Sequence, residues 1–122
     1  MRGFIAMMAL LLVITVLSPS ITLYLMNDNI VVRLYLEEGF TSSVIVSSEM
    51  VHGMVSVYGV FDRPMNILLN ILVFNLEGEL IWDTYVRGNE SFSFIAGGPV
   101  VIVFHIESLE WVEEVWVSLS LR

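Results

Sequence analysis

Cysteine and lysine are both absent from the 122-residue chain, and each absence removes whole classes of chemistry. Without cysteine there is no disulfide, no thiolate nucleophile and no thiolate zinc site. Small exported domains often use disulfides as staples, so stability here must come from packing, an anchor or self-association. Without lysine the positive charges are Arg2, Arg33, Arg63, Arg87 and Arg122, set against three Asp and ten Glu for a net charge of −8. An acidic chain with no basic stripe cannot neutralise phosphates in number, which excludes nucleic acid as a partner. The same charge repels anionic lipid headgroups.

Charge of either sign is scarce, at 15% of residues against a usual value of about 25%, while 57% of residues are hydrophobic. Part of that excess sits at the N-terminus. Met1 to Met26 carries one charge, Arg2, and then runs uncharged as far as Asp28. This is an export signal in form. Read as a signal peptide, Phe4 to Leu17 is the apolar region, and Ser18 and Ser20 supply small residues for cleavage after Ser20. Read as a signal anchor, residues 4–26 form a helix of about 34 Å, long enough to span about 30 Å of hydrocarbon, with Pro19 bending it near the outer end. The anchor is the leading expectation because Ile21 to Met26 stays apolar. In either case Arg2 remains cytoplasmic and the acidic remainder lies outside or in a lumen.

From Ile30 onward no stretch holds a helical apolar period, and apolar runs alternate with turn residues, an all-β signature. Strands are expected at Ile30–Leu36, Ser43–Ser48, Met54–Phe61, Ile67–Asn75, Glu79–Val86, Ser91–Ala96, Val100–Glu107 and Trp111–Leu121. Glu77-Gly78, Arg87-Gly88-Asn89 and Gly97-Gly98-Pro99 are expected to close hairpins. Consecutive short strands of this kind make an antiparallel two-sheet β-sandwich over residues 30–122, since a lone sheet could not hide its apolar face. The fifth and last strands alternate cleanly and suit edge or outer positions, with Trp82 facing the core and Trp116 facing out. Ile67 to Phe74 and Val100 to Phe104 are instead apolar on both faces. Their outer side, with Leu68, Leu72 and Phe74, is a candidate contact surface together with Trp116.

Catalytic groups are sparse. His52 is expected in a turn and His105 on a strand face with Val101 and Val103, and neither has the setting of a triad histidine. Glu107, Glu110, Glu113 and Glu114 form the one acidic cluster, with oxygens suited to calcium but no Asp, Asn and Gly loop register, so a solvated rim is the expectation. No cofactor motif occurs. Asn89-Glu90-Ser91 is a glycosylation sequon on an expected turn.

The order ILVFNLEGELIWD, VRGNESFSFIAGGPVVIVFHIES and VWVSLSLR, preceded by VVRLYLEEGF (Val31 to Phe40), resembles a GOLD domain, the Golgi-dynamics β-sandwich of early-secretory-pathway cargo receptors. The resemblance covers Val51 to Leu121 and rests on hairpin spacing, the Glu77-Gly78 turn and Phe92-x-Phe94. Family members usually carry a disulfide that this chain lacks. The resemblance implies a non-catalytic lumenal or extracytoplasmic module that binds other proteins, here tethered through residues 4–26. Two other readings stand beside it: a pilin-like structural subunit of a filament or layer, which would self-associate, and a sandwich that binds carbohydrate or lipid.

Overall fold

The computed structural model describes residues 21–26 and 29–122, which form an all-β antiparallel fold. Seven strands run in chain order: β1 (Ile21–Met26), β2 (Asn29–Leu34), β3 (Thr41–Gly59), β4 (Asn66–Asn75), β5 (Leu80–Val86), β6 (Ser91–Glu110) and β7 (Val112–Leu121). They join into one sheet in the order β1-β2-β7-β3-β6-β4-β5. Among the described residues no helix is long and apolar enough to cross a membrane.

A flat sheet of this composition would leave one apolar face in water, and the two longest strands prevent that by bending together. In β3 the register breaks between Ser48 and Met50, opposite a break between Gly98 and Ile95 of β6. On β3 the buried positions are even-numbered before the break (Ser42, Val44, Val46) and odd-numbered after it (Val51, Gly53, Val55, Val57). Gly97 and Gly98 hold φ of +67° and +132°, conformations costly for any residue with a Cβ, which lets β6 turn the same corner. Two leaves result. One contains β5, β4, the later part of β6 and the earlier part of β3. The other contains β1, β2, β7, the later part of β3 and the earlier part of β6.

The leaves meet through their buried faces as a sandwich. Ile67, Leu69, Ile71, Val73, Ile102 and Phe104 line one side, and Val32, Val55, Val115, Val117 and Leu119 the other. Three aromatic rings bridge the leaves: Trp82 of β5 stacks 5.1 Å from Phe94 and 6.0 Å from Phe92, both in the opposite leaf. Phe92 also lies flat over its strand partner Gly53, where an added Cβ would come 2.1 Å from the ring. That contact explains a glycine in mid-strand.

Several expectations are corrected. Ile21–Met26 is a strand paired with β2 over its whole length, not the end of a helix; periodicity does not separate a short buried helix from an apolar strand. Residues 1–20 of the expected signal peptide or anchor lie outside the described residues. Gly97-Gly98-Pro99 closes no hairpin but bends one continuous strand, and His52 sits in β3 rather than a turn. Arg87 to Glu90 crosses from one leaf to the other instead of turning back, with no left-handed φ at Gly88. β7, expected at an edge or outer position, lies between β2 and β3, although its outward residues are polar or half-buried as the alternation requires. The Glu77-Gly78 turn is as expected: Gly78 has a φ of +86°, and the Asn75 carboxamide accepts from the backbone N–H of Glu77 and Glu79 at 3.0 and 2.9 Å.

Gly53→Ala should destabilise the fold by about 1–3 kcal/mol, because Phe92 must leave its place under Trp82. Denaturant unfolding checks this. Adding Phe92→Leu should recover part of the loss, and a strictly additive pair would contradict the contact.

Candidate functional site

Outward positions on β4 are Leu68, Asn70, Leu72 and Phe74, all half-buried although their partners Ile67, Leu69, Ile71 and Val73 take the core. Strand register builds a face around them. Leu72 lies between Asp83 and Val103, Phe74 beside Val101, and Asn70 between Tyr85 and His105. The apolar part of this face is therefore continuous from β4 to β6. Ile81 and Tyr85 of β5 extend it, both exposed.

A polar row crosses this apolar surface. His105 Nδ1 and the Thr41 hydroxyl are 2.7 Å apart, and the Tyr85 hydroxyl donates to Glu107 at 3.5 Å. Between these pairs, the Asn70 side-chain oxygen is buried and accepts no hydrogen bond from the described residues. A buried carbonyl without a donor is costly, and an outside group would reach this one only if the side chains around it moved. The sequence marked the position only as a polar interruption in ILLNILVF and did not predict the orphaned oxygen.

Trp116 does not join this surface. It lies on the outer face of the other leaf, because β7 belongs there and β4 does not. Arg33 stands 5.6 Å above its ring and forms an ion pair with Glu114 at 3.2 Å, while the indole N–H donates to Glu114 at 3.4 Å. The expected combination of Trp116 with Leu68, Leu72 and Phe74 is thus split over opposite faces.

The acidic cluster is also dispersed. Glu107 faces Tyr85, Glu114 faces Arg33, and Glu110 and Glu113 flank the β6–β7 turn in solvent. Among the described residues no three carboxylate or histidine side chains are placed to hold a metal. His52 lines a depression of about 230 Å³ with Met50, Ser93 and Arg122 on the second leaf, so the two histidines lie on opposite outer faces and do not converge.

Asn89 is exposed, and its side-chain oxygen accepts from the Val57 N–H at 2.8 Å. It serves the open edge of β3 just beyond the point where β6 stops pairing, next to the Val55 N–H donating to the Glu90 carbonyl at 2.8 Å. A glycan attaches through the amide nitrogen, so this hydrogen bond and glycosylation are chemically compatible.

No family model matches the chain, and no curated protein matches it. Among solved structures, a cupin domain from Bordetella pertussis Tohama I is similar over 84% of this chain and 91% of that one, with 12% identity and a TM-score of 0.39. At that identity and score the likeness assigns no role to any residue.

Two substitutions test these placements. Asn70→Leu should raise stability by about 1 kcal/mol in the isolated protein, since it removes a buried acceptor that has no donor; a lower denaturant midpoint would show that the oxygen is satisfied. Asn89→Ala should cost about 1 kcal/mol by leaving the Val57 N–H unpaired, whereas Asn89→Asp keeps an acceptor and should stay near the parent in the same measurement.

Proposed function

We propose that the chain is a non-enzymatic, membrane-tethered module that works outside the cytoplasm or in a lumen, by binding another protein through the outer face of β4 and β6. The observation that carries this reading is the apolar strip of half-buried Leu68, Leu72 and Phe74, extended by exposed Ile81 and Tyr85. An apolar patch of this kind suits a partner that brings apolar side chains. Dispersal of the acidic residues and separation of the histidines favour binding over catalysis. The resemblance to GOLD domains implies the same role. Residues 4–20 supply the tether in this reading, since Ile21–Met26 belongs to the sheet.

The filament-subunit reading predicts that the same face meets a second copy of the chain. A photo-reactive residue at position 72, with a control at Ser118 on the opposite face, distinguishes the two. In native membranes position 72 should give an adduct with a different protein and Ser118 should give none. An adduct of twice the chain mass would favour the filament, and equal labelling at both positions would remove the face from consideration. Intact mass of the recovered chain should include residues 1–20, and a start at Ile21 would remove the tether.

A further inference from the structure

One end of the sandwich carries a second apolar feature that the protein-binding face does not use. The β3–β4 loop and the β6–β7 turn meet there, joined by the Val60 N–H donating to the Trp111 carbonyl at 3.0 Å. Phe61 at the loop apex is 87% exposed, the highest value among the large apolar side chains of the described residues, and Met65 and Trp111 beside it are also exposed.

The backbone at this tip is unusual. Asp62 and Trp111, with φ of +64° and +60°, are the non-glycine residues in left-handed conformation among the described residues, and they sit in these two adjoining segments. Asp tolerates that conformation through its short polar side chain, but an indole gains nothing from it locally. Glycine would serve the turn with less strain, so the tryptophan needs a reason beyond the turn. Its ring is held in place by the Arg63 guanidinium, 4.8 Å from the ring centre. A fixed indole, a projecting phenyl ring, a thioether and one arginine form a set suited to the boundary between hydrocarbon and headgroups.

Register shows which way this tip points. Ile21 is level with Leu34, and Arg33 with Trp116, so the start of β1 is level with Val115, with β2 between them. From there to Trp111 is four residues of β7, roughly 13 Å along the strand direction. β1 runs away from the tip, so its first residue, Ile21, lies at the tip end of the sheet. Resting on the tethered reading above, we infer that Phe61, Met65 and Trp111 dock into the interfacial layer of the same bilayer that receives residues 4–20. Asp62, Glu110 and Glu113 surround the tip and disfavour anionic lipid, so a zwitterionic surface is the fitting partner.

The absence of native cysteine makes a direct test simple. The full-length chain carrying Phe61→Cys, spin-labelled and placed in phosphatidylcholine nanodiscs, should show a label accessible to oxygen and shielded from a water-soluble nickel chelate. The same label at Ile95, 77% exposed and at the corner end of the sandwich, should show the reverse. Adding Trp111→Gly to the Phe61→Cys chain should leave the domain folded, as it relieves the strained turn, yet move the label at position 61 toward water. Incorporation into nanodiscs with the label at 61 as wet as that at 95 would overturn the inference and leave the tether standing, and would point to a protein as the occupant of the tip. Failure of the chain to incorporate at all would remove tether and inference together. A label that stays shielded in the Trp111→Gly chain would overturn the role given to Trp111.

Discussion

The stack of Trp82 on Phe92 and Phe94, with Gly53 beneath, is the contact on which the rest of the architecture depends. A single sheet with this much valine, isoleucine and leucine on one side is unstable in water until that side is covered, and the chain has no helix among its described residues to cover it. It covers itself. For the two leaves to close they need a point of registry, and large rings from opposite leaves provide one that smaller aliphatic residues would not. Gly53 gives Phe92 room to lie flat, so one missing methyl sets the spacing of the leaves.

Closure has consequences on both outer faces. With the inner positions given to the core, alternation sends Leu68, Leu72 and Phe74 outward on one leaf and Trp116 outward on the other. They then meet different fates. Trp116 is engaged by Arg33 and Glu114, charged residues brought from β2 and β7, whereas the β4 face has few charges and one unmet carbonyl. The two leaves thus differ in chemistry although they share two strands. The asymmetry leaves one outer face with a continuous apolar strip and sets a charged cluster around the tryptophan of the other.

Strand identity, inward and outward phase, and the Glu77-Gly78 turn were legible because each is local: period two and a turn glycine need only neighbouring residues. The corner was not. Gly97-Gly98-Pro99 has the composition of a hairpin turn, and only the partner bulge at Ser48 to Met50, about fifty residues away, makes it a bend in a continuous strand. Ile21–Met26 misled for the same reason, since its role depends on pairing with Asn29–Leu34 and not on its own pattern. At the outer faces, residue direction was readable but grouping was not. Alternation placed Trp116 and Leu72 outside, yet topology decided that they never meet, that Glu107 and Glu114 face different partners while Glu110 and Glu113 stay in solvent, and that the Asn70 oxygen is buried without a donor.

The position of β7 bears on how the chain is made as well as how it stands. It is inserted between β2 and the later part of β3, so residues separated by some eighty positions must come together before the second leaf has its middle strand. A ribosome or an export channel delivers β2 and β3 long before β7. During that interval both strands hold unpaired edges and valine-rich faces, the state most open to mispairing with another chain. The order in which the polypeptide emerges therefore leaves the second leaf without its middle strand until the last residues of the described chain are made.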